Sequence, residues 1–215
     1  SFYLLFFRRL GKMCRLINND GTVVSIMKRT IQCCQINCTV GDLASNAARI
    51  RDCGERGRSQ AADVVVTSEL ALCGYPPEEL LLRDDFYRSC DIALTKIAGA
   101  VKGITLVVGH PHQVGHKRYN AASVIQNGRV AQTYHKHSLP NDTVFDEERY
   151  FEEGDKPCVF VVGGVTVGVN VCEDTWDAVA PRAARKAGAQ LVLVLNASPA
   201  HLRKPHTPHP GRRER

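Results

Sequence analysis

The stretch from Gly163 to Trp176, GGVTVGVNVCEDTW, constrains the fold more than any other. Val165, Val167, Val169 and Val171 recur at every second position, so they share one face of an extended strand. Cys172 follows at the strand's end, and Asp174 is suited to cap a helix beginning near Thr175. A thiol so placed sits close to backbone N–H groups and the positive end of a helix dipole. Strand, nucleophile and helix start, in that order, is where α/β sheets place their chemistry. Taken alone, the stretch fits better a buried apolar cysteine closing a core strand.

The rest of the chain reads as alternating strands and helices. Thr30 to Ile36 opens with a strand, and Asp42 then caps a helix whose Leu43, Ala47 and Ile50 share one face. The apolar run from Ala62 to Thr67 is a buried strand that ends on Ser68 and Glu69, an unusual place for a carboxylate. Gly74, Tyr75, Pro76 and Pro77 make a loop, and Phe86, Cys90, Ala93, Ile97 and Val101 an amphipathic helix. Ile104 to Gly109 is the next strand. Asn127-Gly128, between Ala121–Gln126 and Arg129–His135, is a strong hairpin motif, and its second strand delivers Lys136. A polar loop, LPNDTVFDEERYFEEGD, leads to a second hairpin, Cys158–Val162 and Val165–Val171, across Gly163-Gly164. A helix carrying Val179, Ala183 and Ala187 and a strand from Leu191 to Asn196 complete the pattern.

Charge separates a body from its ends. The formal charge of +6 divides into a net +5 over residues 1–30, +4 over residues 201–215 and −3 over residues 31–200. The body is mildly acidic, which argues against a nucleic-acid partner. Residues 1–27 are expected to lie outside the domain, with Met27 as the native start; 28–200 form the domain, and the Pro-, His- and Arg-rich 201–215 an unstructured basic tail. The apolar run Phe2 to Phe7 is too short to span a bilayer. Of nine cysteines, Cys33, Cys34, Cys38, Cys53, Cys73, Cys90 and Cys158 read as reduced thiols of a cytoplasmic protein. Cys33, Cys34 and Cys38 lack the paired C-x-x-C spacing of a zinc site, and no metal is expected.

Three strand ends thus offer Glu69, Lys136 and Cys172. Brought together, they can attack a carboxamide: a carboxylate takes the thiol proton, the thiolate adds to the carbonyl, and an ammonium stabilises the oxyanion. His135 and His137 flank Lys136 on a strand, point away from it and read as structural.

The segments TSELALCGYPPEELLLRDDF, YHKHSLPNDTVFDEERYF and GVNVCEDTW together resemble the carbon-nitrogen hydrolase (nitrilase) superfamily and, within it, the glutaminase portion of glutamine-dependent NAD synthetases. The resemblance implies a four-layer α-β-β-α sandwich, here shortened at its C-terminal end. By the same comparison Glu69 is the general base, Lys136 the oxyanion partner, Cys172 the nucleophile and Glu147 a supporting carboxylate. Tyr75, Glu173 and Ser198 would line a glutamine pocket. Asp142 departs from the family, which has a tyrosine there. The resemblance implies no cofactor for the hydrolase domain; ATP and magnesium would belong to a synthetase domain absent from this chain, and the full-length protein is expected to be a homo-oligomer. Two rival readings are a stand-alone amidase for another small amide, and an inactive truncated fragment.

Overall fold

In a computed structural model of the chain, the structure describes residues 3–5, 29–141 and 146–197. Two sheets face each other. The first contains β2 (Ile31–Cys33), β3 (Val64–Val66), β4 (Thr105–Val114), β5 (Lys117–Gln126) and β6 (Arg129–His135), in that order. Its first three strands are parallel and the rest antiparallel. The second has the order β1 (Tyr3–Leu5), β9 (Leu191–Leu195), β8 (Val165–Val171), β7 (Cys158–Val162).

Alternation of apolar residues sorts side chains to the two faces of each sheet. Val64, Val66, Val107, Val124 and Tyr134 point from the first sheet into the inter-sheet core, where Val167, Val169, Val171, Phe160 and Leu193 meet them. The opposite face of the first sheet, with Val65, Leu106 and Val108, is covered by α1 (Leu43–Ser59) and α2 (Asp84–Ala100) through Ile50, Leu94 and Ile97. The outer face of the second sheet receives α3 (Val179–Lys186), whose Ala184 packs with Val192 and Val194. The α-β-β-α sandwich that the resemblance implies is therefore present.

Local chemistry accounts for several boundaries. Asp42 caps α1, accepting the Ser45 amide at 3.0 Å. Asn127 and Gly128 both have positive φ, +53° and +78°, the two-residue turn that matches strand twist. Both hairpins stand where the sequence places them.

Other details differ. β4 and β5 run past the apolar stretches expected as strands to form a third, long hairpin turning at Gly115, φ +62°. The polar residues of its tip gave no apolar alternation to read. Ala180 and Ala184, not Val179, are the buried side of α3, which starts later than expected because Asp174 is engaged elsewhere. Cys34 and Cys53 form a disulfide with Cα atoms 6.1 Å apart, correcting the reading of both as reduced; α1 lays Cys53 over the end of β2. Tyr3–Leu5 runs parallel to Leu191–Leu193, within a segment expected to stand apart from the domain. The rest of residues 1–28, the tail at 201–215, Asp142 and Ser198 lie outside the described residues.

Candidate active site

The loops that follow β3, β6 and β8 meet at one end of the sandwich. Glu69, Tyr75, Glu147, Cys172, Glu173 and Trp176 line a single cleft there, closed by Pro140 and Ala197. Lys136 lies behind the cleft wall, fully buried, as are Glu69 at 2% exposure and Glu147 at 6%. Cys172 retains 8% exposure. Its thiol is one of the groups that line the cleft.

Charge pairing makes this burial tolerable. Lys136 Nζ donates to Glu69 Oε1 at 2.9 Å and to both oxygens of Glu147 at 3.0 Å. Asn120 Nδ2 donates to Glu69 Oε1 at 2.9 Å and Glu147 Oε2 at 3.2 Å. The Ala197 amide reaches Glu69 Oε2 at 3.3 Å. Burial works against the Lys136 ammonium, but the Glu69 and Glu147 carboxylates outweigh it and hold the lysine charged well into the alkaline range. Glu147 is raised to about 7 by burial and then by the Glu69 charge, against the pull of Lys136. Burial, and next Glu69, likewise raise the Tyr75 phenol.

The backbone around these groups is unusual. Cys172 itself has φ +43°, a left-handed conformation that non-glycine residues adopt at a cost of about 1–3 kcal/mol. It opens a short 3-10 turn, Cys172–Thr175, instead of the helix expected there. Leu70, directly after Glu69, is also left-handed at +49°. Glu69 and Cys172 therefore sit at sharp exits from their strands.

Four residues to which the sequence assigned no place in the cleft hold the arrangement. Asp174 does not cap a helix: Oδ1 accepts the His137 and Ser138 amides at 2.9 Å each, and Oδ2 accepts the Val171 amide and the Tyr134 hydroxyl at 2.8 Å each. One buried carboxylate so ties the backbone beyond Lys136 to the residue before Cys172. Gly109 on β4 lies under the Glu69 turn, and Gly154 backs Lys136, its amide donating to the Lys136 carbonyl at 2.8 Å. Asn120 is the fourth, joined to Glu69 and Glu147 as described. No local pattern marks it, because its partners are brought in by folding.

His135 is turned away from this cluster, stacked on Tyr119 at 3.9 Å and bonded to His112 at 2.9 Å. His137 bonds to the Lys156 carbonyl at 3.3 Å. Among the described residues no group of three or more His, Cys, Asp or Glu side chains is arranged to hold a metal ion. Nor, among them, is any helix long and apolar enough to cross a membrane.

The carbon-nitrogen hydrolase family matches residues 30–213. The chain belongs to that family. This carbon-nitrogen hydrolase is 51% identical over 168 residues to a glutamine-dependent NAD(+) synthetase of Xylella fastidiosa, covering 77% of this chain and 31% of the relative. It is 49% identical over 169 residues to the one of Xanthomonas campestris, covering 77% and 30%. The chain thus spans about a third of the length of the curated relatives it matches. Its fold superposes on the glutamine-dependent NAD+ synthetase of Acinetobacter baumannii, solved with ADP, with TM-score 0.76, 34% identity, and 80% and 32% coverage of the two chains. An amidase from Nesterenkonia sp. gives TM-score 0.70 at 29% identity, covering 78% of this hydrolase and 64% of the amidase.

Proposed function

We propose that this hydrolase releases ammonia from the side-chain amide of glutamine through a thioester on Cys172. The observation that carries the reading is the buried Lys136 held between Glu69 and Glu147 beside the cleft that bears the thiol. In this reading Glu69 takes the thiol proton, and the sulfur forms a bond to the amide carbon while the C=O π pair moves to oxygen. Lys136 supplies the positive charge that stabilises that oxyanion. Collapse expels the amine, which receives the proton from Glu69 and leaves as ammonia. Water, deprotonated by Glu69, then attacks the thioester; glutamate departs and the thiol is restored. Glutamine and water are consumed, and glutamate and ammonia formed.

Glu147 keeps Lys136 in place. Glu173, next to the nucleophile, suits the α-ammonium of an amino acid, with Tyr75 and Ser198 completing the pocket. The step draws on side chains and water alone; ATP and magnesium would serve a synthetase domain that receives the ammonia. Its setting is cytoplasmic, and the full-length protein is a homo-oligomer.

A second reading, a simple amidase for another small amide, draws on the likeness to the Nesterenkonia enzyme. Measuring ammonia release from glutamine, asparagine and propionamide decides between them. Preference for glutamine by tenfold or more is expected, and faster release from propionamide would favour the amidase.

A further inference from the structure

Asn120 occupies β5 one residue before the apolar run Ala121–Ile125 and is fully buried. Its side-chain nitrogen carries two hydrogens, and each is used on a different carboxylate, Glu69 Oε1 at 2.9 Å and Glu147 Oε2 at 3.2 Å. Its backbone carbonyl accepts the Lys136 amide at 2.8 Å. Lys136 Nζ, Glu69, Asn120 Nδ2 and Glu147 therefore close a ring in which two donors alternate with two carboxylates. Among the described residues, Glu69 Oε1 receives both the lysine and the amide, whereas Oε2 receives only the longer 3.3 Å bond from the Ala197 amide.

This asymmetry has a chemical meaning. The two oxygens of a free carboxylate are equivalent, but one that rotates freely beside an ammonium points a lone pair at a thiol in only some of its orientations. A neutral amide donor stabilises the anion without adding a second positive charge to compete for the thiolate, and it has no proton to give up. We propose that Asn120 is a positioning residue that pins Glu69 through Oε1 and so makes Oε2 the oxygen that exchanges a proton with Cys172. The inference rests on the reading of Glu69 as the base and holds for any amide substrate.

The test uses the full chain with Asn120→Ala, Asn120→Asp and Asn120→Ser, each checked for folding by thermal melting. Two profiles are recorded against pH: kcat for glutamine hydrolysis, and the rate at which iodoacetamide alkylates Cys172. Removing a donor from a carboxylate raises its pKa, so the acidic limb of both profiles should move to higher pH for Asn120→Ala. It should move further for Asn120→Asp, which adds a like charge, and less for Asn120→Ser, which keeps one hydroxyl donor. At neutral pH kcat for Asn120→Ala should fall by about tenfold or more, as for loss of a hydrogen bond to a charged group, with KM within about twofold. Unmoved limbs in folded Ala and Asp variants, or a loss confined to KM, would overturn the proposal. Should the unaltered chain release no ammonia from glutamine, the substrate assignment fails, while the alkylation profile still decides the role of Asn120.

Discussion

The α-carbon of Glu69 rests against Gly109: a β-carbon on that glycine would stand 3.0 Å from it and 2.4 Å from the Ser68 carbonyl oxygen. Such distances force backbone to move, because no flexible side chain is there to give way. The Leu72 amide also donates to the Gly109 carbonyl at 3.0 Å, and the Gly109 amide to Thr67 Oγ1 at 3.1 Å, so the Glu69 turn is laced to this one residue. Gly109→Ala should lower kcat by about a hundredfold through displacement of Glu69, the base in the proposed reaction. It should also cost about 1–3 kcal/mol of stability. Steady-state kinetics beside a urea titration checks both; full activity would show that the turn relaxes without moving Glu69.

Lys136→Ala leaves two buried carboxylates facing each other with no cation between them. Breaking a buried ion pair from one side costs roughly 3–5 kcal/mol, so the variant should be much less stable at neutral pH and recover part of the loss as the medium is acidified and a carboxylate takes up a proton. Hydrolysis should fall by a factor on the order of a hundred or more. Chemical denaturation at two pH values gives the first result and ammonia release the second.

Asp174→Ala would strip the acceptor from the Val171, His137 and Ser138 amides and from the Tyr134 hydroxyl, all tied to one fully buried carboxylate. Buried donors left without partners cost about 1–3 kcal/mol each, and the tie between the Lys136 and Cys172 backbones is lost. Loss of stability accompanied by slower alkylation of Cys172 is expected. Asp174→Asn keeps one acceptor oxygen and should fall between the two; a thiol reacting at the usual rate in folded Asp174→Ala would show that the clasp has no bearing on the nucleophile.

Two histidines, His110 buried and His135 partly buried, give stability a pH dependence. His110 is lowered to about 3, by burial and then by the neighbouring His112, and His135 to about 4 for the same reasons. The unfolded chain binds these protons near pH 6.5 while the folded chain does not, so stability is complete above about 6.5 and is lost as pH falls toward about 4. Glu147, raised from 4.5 to about 7, acts in the opposite sense: its folded form holds a proton in that window, and its contribution weakens as pH rises. Thermal melting across pH 4–7 should therefore show a shallower acid loss for His110→Gln than for the unaltered chain. Identical slopes would mean that His110 titrates normally.

What the sequence made legible was what short-range chemistry decides. The Asn127-Gly128 turn, the Asp42 cap and the valine alternation of β8 each follow from neighbouring residues, and the structure has all three. Asp174 shows the limit. Its local setting suits a helix cap, but folding offers it the His137 and Ser138 amides, and those tertiary donors claim its carboxylate. Asn120 was invisible for a related reason: Glu69 and Glu147 lie 51 and 27 residues away in the chain. The Cys34–Cys53 disulfide likewise depends on how α1 lies over β2, which cysteine spacing does not reveal.

The most direct test of the account is labelling with a glutamine analogue that carries an electrophilic ketone in place of the side-chain amide, followed by peptide mapping. One adduct per chain on Cys172, prevented by excess glutamine and absent from a folded Cys172→Ala variant that also releases no ammonia, is the predicted result. Modification spread over other thiols such as Cys33 or Cys38, indifference to glutamine, or continued ammonia release by Cys172→Ala would contradict it.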